Sequence, residues 1–244
     1  MRFHLICFYS AFVLLGIPSS QAVDYGEVLV NGKRVTVCRV KILKEKLQLF
    51  LQDDKGQPLK SFTGINNWLA PQGKKLTFAM NAGMYHGNLS PVGLFVSEGK
   101  PYTELNTANA EGNFFLKPNG VFLITSSGAQ VIETSEYPKV KEPIILATQS
   151  GPMLMRKGVI HPAFNQSGTS RLYRNGVGVP SPDIAIFAIS EEPVNFYEFT
   201  TMFRDLLQCP DALFFDGTVS SLFSTHLNRN DKKMDLGPII GITE

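Results

Sequence analysis

The chain has few of the residue types that usually indicate a function directly. Its 244 residues include three cysteines, four histidines and one tryptophan, and its formal net charge is +2. A nearly balanced charge offers no basic field to a nucleic acid, so nucleic-acid binding is not expected. His86, His161 and His226 lie far apart and show no metal-ligand spacing. We therefore expect no cofactor, and a metal ion could be held only by residues that are distant in the sequence.

The chain also lacks an apolar run long enough to span a bilayer. The apolar stretch near the N-terminus, residues 5–17, has roughly 13 residues, whereas a membrane-spanning helix needs about 20. It follows Arg2 and precedes small residues at Ser20 and Ala22, an order typical of a secretory signal peptide. We expect cleavage after Ala22, an exported protein that is periplasmic or secreted, and no membrane span after cleavage.

Removal of residues 1–22 would leave only two cysteines, Cys38 and Cys209. Two thiols in an oxidising compartment are plausible disulfide partners. A bridge that closes so long a loop would stabilise the fold by about 5 kcal/mol at most. Two separately buried free cysteines are the alternative, and we favour the disulfide.

Short β-rich segments bounded by turn residues dominate the rest of the chain. Helical signals are limited to two segments, one capped by Ser61 and extending to about Leu69, the other capped by Asn195 and covering residues 196–207. We therefore predict one α+β domain, residues 23–244, with a mixed, strand-rich sheet core and a few packed helices. The predicted strands are residues 27–30, 34–42, 47–52, 76–80, 92–97, 121–125, 129–133, 143–147, 176–179, 184–188 and 212–215.

Two glycine-containing turns follow predicted strands in the first half of the chain. Asn81 would project from a strand end into a glycine-rich turn, where the backbone can approach a ligand closely. Lys117 and Asn119 lie in a tight turn between strands. An ordinary loop and a solvated lysine are the alternatives, because neither turn has the spacing of a nucleotide-binding motif.

Two further segments carry charged residues beside small polar ones. Arg171 and Arg174 lie three residues apart, an arrangement suited to clamping an anion, although two surface arginines would look the same. Asp216 emerges from a buried strand into a turn rich in hydroxyl groups. A partly desolvated carboxylate there could serve as general acid, base or nucleophile. The alternative is an aspartate that caps the following turn.

Four of these motifs, in this order, resemble those of the phosphodiester glycosidase family. They are Asn81-Ala-Gly-Met-Tyr, Ser150-Gly-Pro-Met-Leu, Arg174-Asn-Gly-Val-Gly and Asp216-Gly-Thr-Val-Ser-Ser. The family includes the uncovering enzyme of lysosomal sorting, which removes N-acetylglucosamine from a sugar phosphodiester. The resemblance is greatest to its bacterial exported branch. This chain has Thr218 and Val219 where the family has two glycines, which narrows the space beside Asp216.

The resemblance implies a hydrolase that cleaves the glycosidic bond of a sugar phosphodiester. It implies catalytic roles for three residues, with Asp216 handling proton transfer or nucleophilic attack, Arg174 neutralising phosphate and Asn81 orienting oxygens. The rival interpretation is a non-catalytic module that binds envelope glycans or their phosphorylated links. In both, the partner is a carbohydrate or glycosyl phosphodiester. The expected substrate-binding residues are Arg171, Lys117, Asn119, Ser150, Gly151, Gly217, Ser220 and Ser221.

Overall fold

The structure is a computed structural model that describes residues 23–244. Its strands are β1 (Val23–Val30), β2 (Lys33–Lys41), β3 (Gln48–Phe50), β4 (Leu76–Asn81), β5 (Phe95–Ser97), β6 (Lys100–Thr103), β7 (Gly120–Thr125), β8 (Gly128–Glu133), β9 (Leu146–Ser150), β10 (Met153–Arg156), β11 (Val159–Ile160), β12 (Asn175–Ser181), β13 (Ile184–Ser190), β14 (Asp211–Asp216), β15 (Leu222–Ser224), β16 (Arg229–Asn230) and β17 (Ile239–Thr243). The helices are α1 (Phe62–Leu69) and α2 (Phe196–Thr201).

A seven-stranded sheet with the order β1-β2-β13-β12-β14-β10-β11 forms the largest layer. Its neighbouring strands are antiparallel throughout. β13 and β14 both pair with β12, so they run parallel to each other without touching, and α2 makes the connection between them. A helix therefore connects two parallel strands of one sheet although each neighbouring strand pair is antiparallel.

Two five-stranded antiparallel sheets complete the α+β fold that the sequence predicted, with the orders β16-β15-β4-β17-β3 and β6-β5-β9-β7-β8. Side chains from all three sheets meet in one central core, which includes Phe187 of the first sheet, Phe78 of the second and Phe122 of the third. Phe187 contacts both other rings, with centroids 5.4 and 5.8 Å apart. Because the strands are buried on both faces, each needs apolar residues at successive positions rather than strict alternation.

The two helices cover outer faces of the sheets, and both begin where the sequence placed them. Ser61 Oγ accepts a hydrogen bond from Gly64 N at the start of α1. Asn195 and Glu198 form a reciprocal capping box at the start of α2. The second helix continues as a π-helical turn over Met202–Leu206, so the helical segment ends close to the predicted residue 207. α1 packs on the β4–β17 sheet and α2 on the seven-stranded sheet.

The predicted disulfide between Cys38 and Cys209 is wrong in this structure, in which both cysteines are buried and free. Cys38 lies in the central core, on one face of the seven-stranded sheet. Cys209 packs beneath α2 on the opposite face, close to Gly178 and Phe203. A sheet separates the two thiols, and a disulfide requires Cβ atoms about 4 Å apart.

The predicted signal peptide, residues 1–22, lies outside the described residues. Between residues 23 and 244, no helix is both long and apolar enough to cross a membrane.

Candidate active site

The ends of strands from all three sheets meet at one edge of the molecule. β4 ends at Asn81, β9 at Ser150 and β14 at Asp216, and β12 begins at Asn175 beside the end of β14. Side chains connect these ends: Ser150 Oγ donates a hydrogen bond to the Phe215 carbonyl (3.1 Å). The four predicted motifs supply these ends, so the fold brings together segments that are far apart in the sequence.

Asn81 is fully buried and lies at the centre of a polar network. Its Oδ1 accepts hydrogen bonds from Ser221 N (2.9 Å) and from Asn175 Nδ2 (3.0 Å). Asn175 Nδ2 also donates to the Asn81 carbonyl (2.9 Å). A neighbouring hydroxyl, Thr148 Oγ1, donates to the carbonyl of Ala82 (2.6 Å). Buried amides that satisfy one another in this way fix the positions of the strand ends around them.

Asp216 is partly exposed at the mouth of this network. Its Oδ1 accepts hydrogen bonds from two backbone amides, Thr218 N and Val219 N, the latter at 2.8 Å. The turn-capping alternative is therefore present in the structure. Within residues 23–244, Oδ2 has no hydrogen-bond donor, which leaves one oxygen of an oriented carboxylate available to a ligand. The side chain thus caps its turn with one oxygen and presents the other.

Arg174 is the largest fully buried side chain, with an exposed fraction of 0%. Nε donates to the Val194 carbonyl (3.0 Å) and Nη2 to the Ser170 carbonyl (2.8 Å). The guanidinium carbon lies 3.6 Å from the centre of the Phe196 ring. Nη1 is buried without a hydrogen-bond partner, and no carboxylate within the described chain pairs with this arginine. Burial lowers the pKa of Arg174 to about 10, so the side chain remains charged at neutral pH.

Two of the predicted cations are held by other parts of the protein. Arg171 Nη1 donates to Glu198 Oε2 (2.7 Å), the carboxylate that also caps α2. Lys117 Nζ donates to the side chain of Asn109 on an exposed loop. Asn119 is buried, and its Nδ2 donates to the Phe114 carbonyl (2.9 Å). Substrate binding by Arg171, Lys117 and Asn119 stays a prediction, because each makes its observed contacts within the protein.

The two predicted glycines support the packing of the site. A Cβ atom on Gly151 would come within 2.5 Å of the Phe114 carbonyl oxygen. One on Gly217 would lie 3.0 Å from Leu172 Cδ1 and 3.3 Å from Phe214 Cζ. Both glycines therefore allow a neighbouring segment to approach the strand ends. The Phe214 ring also lies 5.4 Å from the Arg174 guanidinium carbon, so this ring contacts both the cation and the Asp216–Gly217 turn.

The two predicted serines anchor the turn to its surroundings. Ser220 Oγ lies within hydrogen-bonding distance of the carbonyl oxygens of Tyr173 (2.7 Å) and Asp216 (3.1 Å). Ser221 Oγ donates to the Val219 carbonyl (2.7 Å). Both side chains are buried, which makes them supports of the turn in this structure.

Sequence reasoning missed three residues that the fold places here. Asn175 directly follows Arg174, and its position beside a motif residue was the signal for it. Tyr85 ends the first motif, and its hydroxyl donates to the Asp235 carbonyl (2.7 Å). Burial, followed by the charges of Asp216 and Asp235, raises the pKa of Tyr85 to about 12. Asp235 contributes this backbone carbonyl, while its exposed carboxylate pairs with Lys60 (3.7 Å), and nothing in its local sequence indicates that position.

A surface cavity of about 360 Å³ lies elsewhere, lined mainly by apolar parts of Pro118, Met153, Met155 and Val159 together with His161. We place the candidate site at the strand ends instead, because buried polar groups converge there and Asp216 is absent from the cavity wall.

Across the described chain, no three His, Cys, Asp or Glu side chains are grouped to hold a metal ion.

Comparison with known proteins assigns the chain to a family. A profile described as phosphodiester glycosidase matches residues 74–243, more than half of the chain. "Uncharacterized protein YigE" from Escherichia coli (strain K12) is 34% identical over 179 residues, which cover 73% of this chain and 70% of that protein.

Two solved structures share the fold. The catalytic domain of zebrafish N-acetylglucosamine-1-phosphodiester alpha-N-acetylglucosaminidase, auto-inhibited by its pro-peptide, has a TM-score of 0.64 and 13% identity, covering 93% of this chain and 85% of that one. A hypothetical protein from Synechocystis has a TM-score of 0.54 and 12% identity, covering 91% and 61%. The profile match and the bacterial relative together show that the chain belongs to the phosphodiester glycosidase family.

Proposed function

We propose that the protein is an exported hydrolase that cleaves the glycosidic bond of a sugar phosphodiester. The observation that carries the proposal is the geometry of Asp216 in a member of this family. Two backbone amides hold one carboxylate oxygen of this partly exposed side chain, and the other oxygen accepts no hydrogen bond from residues 23–244. A carboxylate with a fixed orientation and one free oxygen is suited to attack an anomeric carbon or to accept a proton from water.

A single reactive carboxylate is chemically sufficient for this substrate class. Ordinary glycosidases use a second carboxyl group to protonate the leaving oxygen. A phosphodiester instead releases a phosphate monoester, which is already a stable anion and needs little protonation. The departing phosphate therefore needs positive charge nearby to stabilise it, rather than an acid to protonate it.

Arg174 contributes positive electrostatic potential from its buried position next to the strand ends. Its charge has no carboxylate partner in the described chain, and the Phe214 ring that it contacts also touches Gly217. Because the guanidinium is fully enclosed, its contribution in this conformation is electrostatic rather than a direct contact with phosphate. The buried pair of Asn81 and Asn175 maintains the strand ends on which this arrangement depends.

The rival function is a non-catalytic module that binds phosphorylated glycans through the same residues. Two observations are compatible with this rival: one oxygen of Asp216 caps its turn, and Arg174 does not reach the surface. Family membership does not decide between them, since related proteins can keep a site geometry without turnover.

The deciding experiment incubates residues 23–244 with a panel of glycosyl phosphodiesters in oxygen-18 water. Glycosidic cleavage predicts label in the sugar hydroxyl, because water attacks carbon and the phosphate departs with the bridging oxygen. Label in the phosphate product would identify a phosphodiesterase. Saturable binding without product across the panel would support the non-catalytic module.

Export is proposed from the sequence of residues 1–22. Expression of the full chain in a bacterial host, followed by N-terminal sequencing of the periplasmic and secreted fractions, tests it. We expect a mature chain that begins at Val23. An uncleaved protein confined to the cytoplasm would contradict export.

A further inference from the structure

A phosphodiester substrate brings a negative charge to the mouth of the site, and the cations predicted from the sequence are poorly placed to meet it. Arg174 is enclosed, Arg171 is paired with Glu198, and Lys117 is bound to Asn109. A further cation, Lys233, lies on the loop between β16 and β17, which borders the strand ends.

This loop is held against Tyr85, the last residue of the first motif. Its Asp235 carbonyl accepts the hydrogen bond from the Tyr85 hydroxyl (2.7 Å), and a Cβ atom on Gly237 would lie 2.6 Å from the Tyr85 side chain. At the end of the loop, the Pro238 carbonyl accepts a hydrogen bond from Ala82 N, next to Asn81. The loop is thus fixed to the site at two points, and Lys233 lies just before the first of them.

Tyr173 forms the adjoining wall. Its carbonyl contacts Ser220 Oγ at 2.7 Å, and the preceding residue, Leu172, packs against Gly217. The Tyr173 side chain remains 45% exposed, although its backbone is tied to the catalytic turn. An exposed aromatic ring held in place by its backbone offers a flat apolar face to a ligand.

Lys233 and Tyr173 meet each other at this mouth. Lys233 Nζ lies 4.9 Å from the centre of the Tyr173 ring, and no carboxylate of residues 23–244 pairs with it. A cation over an exposed ring is held only weakly. A phosphate group can therefore draw the ammonium from the ring at little cost, and this movement would uncover the ring face for a sugar.

We propose that Lys233 and Tyr173 form the substrate-recognition subsite, in which the Lys233 ammonium contacts a non-bridging phosphate oxygen and the Tyr173 ring packs against the sugar. The inference rests on the proposed function and adds to it the residues that would distinguish a charged glycosyl phosphodiester from a neutral glycoside. Lys233 would act as a specificity residue, because its charge matters only for the phosphorylated substrate.

The chain provides a matched control, since Lys232 is an exposed lysine of the same loop. Lys233→Gln and Lys232→Gln remove the same charge from neighbouring positions. We would compare kcat/KM for a glycosyl phosphodiester and for an uncharged 4-nitrophenyl glycoside of the same sugar, whose leaving group needs no protonation, at low and high salt. We expect Lys233→Gln to lower the phosphodiester value by roughly 10- to 100-fold, the loss of one charged hydrogen bond, and the neutral substrate's value by less than about twofold.

Tyr173 is tested with Tyr173→Leu and Tyr173→Phe. The phenylalanine variant keeps the ring and should behave like the wild type with both substrates. The leucine variant should lower kcat/KM for both substrates by a similar factor, because the sugar is common to them. Equal effects of the two variants would overturn the role of the ring.

The outcomes separate this inference from the proposed function. Equal effects of Lys233→Gln and Lys232→Gln in an active enzyme overturn the subsite and leave the hydrolase intact. If the wild type binds the phosphodiester without forming product, the hydrolase proposal fails. The subsite is then tested by calorimetry, in which Lys233→Gln should raise the Kd for the phosphodiester more than Lys232→Gln does. A wild-type protein that neither binds nor cleaves the phosphodiester overturns both.

Discussion

Two arginines show how differently this protein treats positive charge in two regions. In the first, which we call the Arg174 region, the guanidinium donates hydrogen bonds to carbonyl oxygens and lies over an aromatic ring, and Nη1 has no hydrogen-bond partner among residues 23–244. In the second, the Arg229 region, the guanidinium pairs with both Glu191 and Asp231. The same side chain is left without a counter-ion in the Arg174 region and is neutralised in the Arg229 region.

The pKa shifts of the two arginines follow this difference. Burial opposes the charged form of both. In the Arg229 region, hydrogen bonds to Asp231 and Glu191 outweigh burial and raise the pKa of Arg229. In the Arg174 region no such bond exists, and the pKa falls to about 10. A buried charge without a counter-ion is costly, so its presence beside Asp216 suggests that the site is built to receive an anion.

The largest expected effect separates the aspartates of the two regions. Asp216→Asn should lower kcat by about 10²- to 10⁴-fold, since it removes the reactive carboxylate but keeps its shape. Asp231→Asn should lower the free energy of unfolding by about 1–3 kcal/mol, because it weakens the bond to Arg229, and should lower kcat far less than Asp216→Asn does. Steady-state kinetics and chemical denaturation of both variants make the comparison. Near wild-type kcat in Asp216→Asn would contradict its assignment.

The next largest expected effect is the difference in kcat/KM between the lysine variants of the two arginines. Arg174→Lys should lower kcat/KM by roughly 10- to 100-fold, because an ammonium cannot hold the Val194 and Ser170 carbonyls together and so releases the segment that carries Tyr173. Arg229→Lys should change kcat/KM by less than about twofold and act mainly on stability. Equal kinetic effects of the two substitutions would remove the functional distinction between the regions.

A smaller effect concerns His161, whose ring stacks on Phe164, the neighbour of Phe196 in the Arg174 region. Its Nδ1 accepts a hydrogen bond from Ala163 N, which requires a neutral ring. Burial lowers the pKa of His161 below its ordinary value of 6.5. Stability should therefore be complete above pH 6.5 and fall as the pH drops toward the folded-state pKa, where the unfolded chain binds the extra proton. Melting temperatures between pH 7 and 5 measure this loss.

The matched variant is His161→Gln, which can still donate to the Lys117 carbonyl but cannot titrate in this range. We expect its melting temperature to depend less on pH than that of the wild type. An identical pH profile in the two proteins would assign the titration to another group.

The smallest effect is expected from reductant. Burial raises the pKa of both thiols, that of Cys209 to about 12, and at Cys38 the charges of Arg229 and Glu191 act in opposite directions. Both cysteines should resist labelling in the native protein and react fully after denaturation without reductant. Reductant should leave the melting temperature unchanged. A failure to label the denatured, unreduced protein would restore the disulfide.

The sequence by itself determined the family and much of the local structure. Ser61 and Asn195 begin their helices as predicted, because a cap needs only neighbouring residues. The motifs at Asn81, Ser150 and Asp216 were identified because each interrupts a strand pattern at its end. Strand ends shifted: the predicted strand at residues 143–147 became β9, Leu146–Ser150, because its pairing with β7 and β5 sets its limits.

Only the tertiary structure decided which polar groups are engaged by other parts of the fold. Arg171 was predicted as an anion clamp, and its partner Glu198 lies 27 residues away. The sequence allowed a Cys38–Cys209 disulfide, whereas in the fold a sheet separates the two thiols. Asn175, Asp235 and Lys233 became candidates through contacts with distant segments. Composition and spacing record local preferences, whereas pairing, burial and the compensation of charge depend on long-range contacts that the folded chain alone creates.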